Sequence, residues 1–221
     1  MKAIGDFEKY DKYKKSSYNS YNFKMPEIYD KNFWMTFFKN DEWDREVIKQ
    51  LGNSLDSISV LDVGCATGRL LFSLTNAGVK NLCGSDIASN ILDVAKQKLS
   101  SFDVRLDLKT ADAEEHLPWD ENSFDYVTLT GVFHHFYTPQ KALKEIYRVL
   151  KPGGRFIVIE PWFPPVLRQV TNLYLLFFPH DGDCRFHSPN GLVGLAASAN
   201  LTKVKINRMA RLSFMLVAEK K

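Results

Sequence analysis

Long apolar runs are absent from this chain. The longest, Leu173 to Phe178, falls far short of the roughly 20 residues that a membrane-spanning helix needs. The first residues, MKAIGDFEKYDKYKKSS, hold no apolar stretch of the secretory kind, so the sequence reads as a cytoplasmic protein without a membrane span. Cysteine is scarce: Cys65, Cys83 and Cys184 form no CxxC pair and have no histidine at zinc spacing. That excludes a disulfide framework, predicts no metal site and leaves reduced, partly buried thiols. No charge dominates, since 29 basic and 26 acidic side chains give a net +3, whereas a nucleic-acid module would carry a denser basic stripe. With 12 Gly and 9 Pro in 221 residues, collagen-like and low-complexity chains are excluded too. A length of this order suits one domain with a full core and cramps a second.

What is present is alternation. Residues 1–28 are rich in Lys, Tyr, Ser and Asn and read as an N-terminal arm, poorly ordered or ordering only over a ligand. From Tyr29 to Leu51, Phe33, Trp34, Phe37, Phe38, Val47, Ile48 and Leu51 recur at helical spacing. Ile58–Val63 is a short apolar strand, Arg69–Asn76 a helix and Asn81–Ser85 a second strand. Ala88–Leu99 carries Ile91, Leu92, Ala95 and Leu99 on one face. Val104–Thr110 and Phe124–Thr130 read as strands. Thr138-Pro139 then offers an N-cap and a proline at the first helical position. Pro152-Gly153-Gly154 stops that helix before a buried strand, Arg155–Glu160. Such alternation predicts a parallel sheet covered by helices on both faces. After a helix from Ser188-Pro189 to about Ala199, Val204–Met209 and Leu212–Glu219 are joined by a turn so short that only an antiparallel hairpin fits. Residues 29–221 thus form one α/β domain, with 161–188 as an insert.

The stretch Val60-Leu61-Asp62-Val63-Gly64-Cys65-Ala66-Thr67-Gly68-Arg69 is a strand, a Gly-containing turn and a helix start. Its backbone N–H groups face the crevice above the sheet. Gly64 permits the tight turn, and the small Ala66 and Gly68 let a ligand lie against the backbone. Asp86 ends the next strand 22 residues after Gly64, close to the offset of about 20 at which an acidic side chain meets a ribose diol. It also suits an N-cap role. Asp112, followed by the small Ala113, stands at the end of the third strand, either at a ligand's edge or solvated in a loop.

The segments VLDVGCATGRL, GSDIAS, ADAEEHLPWDENSFDYVTLTGVFHHF and ALKEIYRVLKPGGRFIVIEP resemble, in order, the motifs of class I S-adenosylmethionine-dependent methyltransferases. Their nearest likeness is to the subgroup that methylates small molecules, quinones and lipids. The resemblance is strong over about residues 55–160. It implies a Rossmann-like three-layer fold whose seven-stranded sheet has the order 3-2-1-4-5-7-6 with strand 7 antiparallel. It also implies S-adenosyl-L-methionine as cofactor and S-adenosyl-L-homocysteine as product. Asp62, Gly64, Cys65, Ala66 and Gly68 would line the methionine end. Asp86 would take the ribose hydroxyls, Ile87 would pack on the adenine, Asp112 and Ala113 would meet its edge, and Thr130 would border the sulfonium. Ala66 departs from the family's usual glycine.

Other readings lose on detail. A GxGxxG motif from Gly64 would need glycine where Ala66 and Arg69 stand, and no Gly-Lys-Ser/Thr follows for a phosphate loop. GVFHHF replaces the acidic residues an aminopropyl transferase would want. Thr130-Gly131-Val132-Phe133 replaces the amide-reading motif of tRNA and protein methyltransferases. A catalytically silent cofactor-binding sensor or partner subunit stays as the alternative. Methyl transfer gains chiefly from positioning. Where an acceptor needs a base, His134 and His135 at the mouth of the site are the candidates, unless they pack locally. The aromatic, apolar insert 161–188 is expected to shape the site for a small, partly apolar acceptor, as a lid, an interface or an extension of the core.

Overall fold

The computed structural model describes residues 4–31, 41–178, 180–210 and 212–221, with side chains described from residue 11 onward. Seven strands form one sheet in the order β3-β2-β1-β4-β5-β7-β6. They are β1 (Ser59–Val63), β2 (Asn81–Asp86), β3 (Arg105–Thr110), β4 (Phe124–Thr130), β5 (Leu150–Pro161), β6 (Leu201–Met209) and β7 (Ser213–Lys220). The first five are parallel, while β7 runs antiparallel to β5 and β6. This is the expected Rossmann-like order.

Alternation along each strand builds the two faces. On one side Leu61, Val63, Val127, Phe156 and Val158 pack against α5 (Pro139–Val149) and α7 (Pro189–Ser198). On the other, Val60, Leu82, Ile157 and Ile159 meet α2 (Asp41–Gln50), α3 (Arg69–Ala77) and α4 (Ser89–Leu99). With both faces covered, the central strands read as nearly continuous apolar runs. Of the stretch expected to be helical from Tyr29 to Leu51, Phe33, Trp34, Phe37 and Phe38 lie outside the described residues, and the described part buries Trp43 and Val47.

Some boundaries differ for local reasons. β5 begins at Leu150 rather than Arg155, because the Pro152-Gly153-Gly154 segment stays in the ladder as an irregularity opposite Phe124 and Tyr126. A Cβ on Gly154 would come within 2.8 Å of the Lys151 carbonyl oxygen, so only glycine passes there. Lys203 has a φ of +50°, and the register shifts between Thr202 and Lys205. That bulge hides the start of β6 from a period-2 reading. Thr138 flanks α5 without a side-chain cap, and its N–H donates instead to Glu114 Oε1. Ser188 does cap α7, accepting from Gly191 N–H at 3.0 Å.

The largest difference is at the N-terminus, where the expected arm holds a helix, α1 (Ile4–Asn19). It lacks an apolar stripe because tertiary contacts hold it. Tyr13 donates to the Leu175 carbonyl at 2.9 Å, and Lys14 pairs with Asp112 and Glu114. The insert carries α6 (Pro165–Phe177). Leu175 is buried there while Val166, Val170, Leu173 and Phe177 are each more than half exposed, so this helix does not extend the core.

Candidate functional site

In chain order, β1 is followed on one side by β2 and β3 and on the other by β4 and β5. The carboxyl ends of β1 and β4 therefore flank a topological switch point, where a crevice must open. The space it offers, counting the part open to solvent, is about 640 Å³.

Its floor is the turn after β1. Gly64, Ala66 and Gly68 take φ values of 71°, 47° and 71°. Gly64 and Cys65 N–H both donate to the Ser85 carbonyl, at 2.7 and 2.9 Å, which ties the turn to β2. A Cβ on Gly64 would lie 2.6 Å from Val132 Cγ1. Glycine is thus required by contact as well as by φ. Asp86 accepts from Ala66 N–H on one oxygen and from Ala88 N–H on the other, each at 3.1 Å. The cap and the crevice-facing role coexist, since Asp86 holds both N–H groups while lining the crevice.

Gly64, Ala66, Asp86, Ile87, Asp112, Ala113 and His135 come together on the crevice wall. Asp62, Cys65, Gly68, Thr130 and His134 are not among the residues lining it. Asp62 lies beneath the turn, accepting from Thr128 Oγ1 at 2.8 Å. Cys65 is buried, its thiol pushed well above the ordinary range by desolvation, and its sulfur is 2.8 Å from where a Cβ on Gly84 would stand. Gly68 is small for α4 rather than for a ligand, because its Cβ would be 3.0 Å from that of Ala95. Thr130 is buried at the end of β4, and Gly131 takes its place at the wall.

The roof comes in part from the N-terminal segment that the sequence reads as an arm ordering over a ligand. Lys14, Ser17 and Tyr21 line the crevice from the N-terminal segment. Lys14 Nζ is 2.7 Å from Asp112 Oδ1 and 2.5 Å from Glu114 Oε2. Tyr21 Oη is 3.2 Å from His135 Nε2, and burial pushes its phenol well above the usual range. His134 is 8% exposed. Its Nδ1 is 2.7 Å from Glu160 Oε2, while Glu160 Oε1 accepts from Phe133 N–H at 2.9 Å. Asp183 reaches in from the insert, its Oδ1 lying 3.3 Å from His135 Nδ1 and 3.5 Å from His134 Nε2. Burial raises the Asp183 carboxyl above its usual range, against the opposing pull of His134. His187 nearby is pushed down to about 4, chiefly by burial. None of these pairings has a short sequence signal, although the histidine pair, the arm and the insert each stood out.

Residues 61–158 match the methyltransferase domain family. The demethylmenaquinone methyltransferase of Staphylococcus aureus is 36% identical over 154 residues, 67% of this chain and 63% of that protein. The protein of the same name from Oceanobacillus iheyensis is 35% identical over 151 residues, 66% and 63% of the two chains. The match therefore spans 63% of these relatives' own length. Among solved structures, the YcgJ protein of Bacillus subtilis has a TM-score of 0.66 at 20% identity, covering 81% of this chain and 99% of that one. Phosphoethanolamine N-methyltransferase 2 of Haemonchus contortus, solved with S-adenosyl-L-methionine, has a TM-score of 0.69 at 18% identity, covering 81% and 52%. Identities this low speak for the shared fold alone.

Proposed function

This chain belongs to the class I S-adenosylmethionine-dependent methyltransferases, and from that premise we propose that it methylates a small, partly apolar acceptor of quinone type. The observation that carries the reading is the crevice at the switch point. It pairs an oriented carboxylate, Asp86, with small residues at Ala66 and Ala113 and an aromatic side formed by Tyr21, Tyr29 and Phe136. The residues present fit the cofactor. The Asp86 carboxylate on the crevice wall suits a ribose diol, Ile87 suits an adenine face, and Ala113 leaves room at the adenine edge. The ion pair between Asp112 and Lys14 covers that end.

S-adenosylmethionine supplies an activated methyl group on a sulfonium. The protein's task is to bring a nucleophilic acceptor in line and exclude water. Such positioning contributes as much as about 7–11 kcal/mol in favourable cases. Tyr21 and His135, in contact across the mouth, form the polar pair that orients an acceptor oxygen. His134 is set back from the wall with its ring centroid 4.3 Å from that of His135, so we assign it to positioning. An apolar tail on the acceptor would lie along the exposed apolar face of α6, a helix held to α1 by the bond from Tyr13 to the Leu175 carbonyl.

The test has two arms. Titration calorimetry is expected to show binding of S-adenosylhomocysteine and none of NAD; the reverse result ends the cofactor assignment. Radiolabelled cofactor with a short-chain demethylmenaquinol is then expected to give a labelled product. Cofactor binding without label transfer, to this acceptor or to fractionated metabolites, would favour a silent binding protein.

A further inference from the structure

The two histidines and Asp183 are joined by geometry of a particular kind. A single oxygen, Asp183 Oδ1, faces two ring nitrogens, His135 Nδ1 at 3.3 Å and His134 Nε2 at 3.5 Å. Those separations are long for charge-assisted hydrogen bonds, which close to about 2.7–2.9 Å. Adjacent polar pairs do close, since His134 Nδ1 and Glu160 are 2.7 Å apart and Ser20 Oγ and Asp181 are 2.6 Å apart. Two ligands at about 2.0–2.1 Å on a tetrahedral metal, by contrast, lie about 3.3 Å from one another. All three ligand atoms fall within 4.8 Å of each other.

We propose that His134, His135 and Asp183 form a binding site for a divalent transition metal, with zinc the best fit. Two nitrogens and one carboxylate oxygen are a common zinc set, and three protein ligands leave a fourth position open. The outer contacts agree. Metal-bound histidines usually give their second nitrogen to a carboxylate or another fixed acceptor, which sets the tautomer. Here His134 Nδ1 faces Glu160 and His135 Nε2 faces Tyr21. With a proton on each of those outer nitrogens, both rings are neutral and the inner nitrogens present lone pairs toward Asp183.

The ligands are also held in place before any ion arrives. Cys184 and Arg185 N–H both donate to the His134 carbonyl, at 2.9 and 3.0 Å, which fixes the Asp183 loop to the histidine segment. Left-handed backbone at Asp181 and Gly182, φ 49° and 86°, turns Asp183 inward. The site escapes sequence reading because its carboxylate comes from the insert rather than from a spaced motif. It does not depend on the acceptor, and His135 places it at the crevice edge.

The full chain, stripped with chelator and dialysed, is titrated with zinc chloride by calorimetry and, separately, loaded with cobalt(II). The expected result is one zinc per chain with a micromolar or tighter dissociation constant. Cobalt should give four-coordinate visible bands without a sulfur-to-metal charge-transfer band. Glu160→Gln is expected to weaken zinc binding about 10–100-fold, and Asp183→Asn more than that. His116→Ala, at an exposed histidine paired with Glu145, is expected to bind as the native chain does. S-adenosylhomocysteine binding serves as the fold control for each variant. Failure of the folded native chain to take up zinc would overturn the proposal. Equal zinc affinity in Asp183→Asn and His116→Ala, or a cobalt spectrum with thiolate bands, would overturn it too. Should Asp183→Asn not fold, the native chain's cobalt spectrum still decides.

Discussion

The turn at Gly64–Gly68 and the loop at Asp181–Asp183 both set left-handed backbone beside one crevice, yet they are secured differently. The first is tied to its neighbouring strand by backbone bonds from Gly64 and Cys65 to Ser85. The second rests on partners remote in sequence: Ser20 donates to Asp181, and Gly182 lies against Ser17. The floor is thus part of the sheet, while the roof holds only as long as α1 and the insert stay docked. Loss of the floor should cost the cofactor and the fold together. Loss of the roof should leave the sheet standing. Regions with few such ties to the core are the ones that open locally.

Gly64→Ala is expected to have the largest effect. It combines left-handed strain, about 1–2 kcal/mol, with overlap against Val132. A destabilisation of about 2–4 kcal/mol in denaturant unfolding should accompany loss of detectable S-adenosylhomocysteine binding. Native-like binding in this variant would break the claim that the floor admits no Cβ. Next comes Asp86→Ala, which removes an acceptor that also holds Ala66 and Ala88 N–H. Bonds to a charged partner contribute about 1.5–3 kcal/mol, so calorimetry should record a loss of roughly tenfold to a hundredfold in affinity. An unchanged dissociation constant would mean that the ribose is held elsewhere.

Gly182→Ala is the roof's counterpart, and its global effect should be the smallest. The new Cβ would lie 2.4 Å from that of Ser17 and 2.7 Å from its Cα. Since the obstacle includes backbone, α1 must shift as a unit. Hydrogen exchange should quicken across residues 4–24 and 180–186, while peptides from β1 and β4 keep their protection. The midpoint of thermal unfolding should move by only a few degrees, as about 1–2 kcal/mol of strain implies. A uniform rise in exchange across the sheet would show that roof and floor unfold as one.

Legibility follows the same division. The Gly64 turn and Asp86 could be read directly because a strand, a turn and a helix start are consecutive, and a parallel crossover fixes the distance to the next strand's end. The hairpin of β6 and β7 was legible because a short connection leaves no other geometry. The neighbour of Gly68 could not be read, because a small residue in a turn gives no sign of which side needs the space; a Cβ there would stand 3.0 Å from that of Ala95 on α4. The α1 helix was hidden because it has no apolar stripe and is held by separate polar contacts.

By itself, then, the sequence determined the sheet, its order through family likeness, and the floor of the crevice, since periodicity and chain geometry act over tens of residues. Only the tertiary structure brought Tyr21 to His135, 114 residues away, Lys14 to Asp112, 98 away, and Tyr13 to Leu175, 162 away. Contacts at such separations leave no local period in the chain. They exist because α1 and the insert dock on the same edge of the sheet, and that docking is a property of the packed surfaces rather than of any one segment.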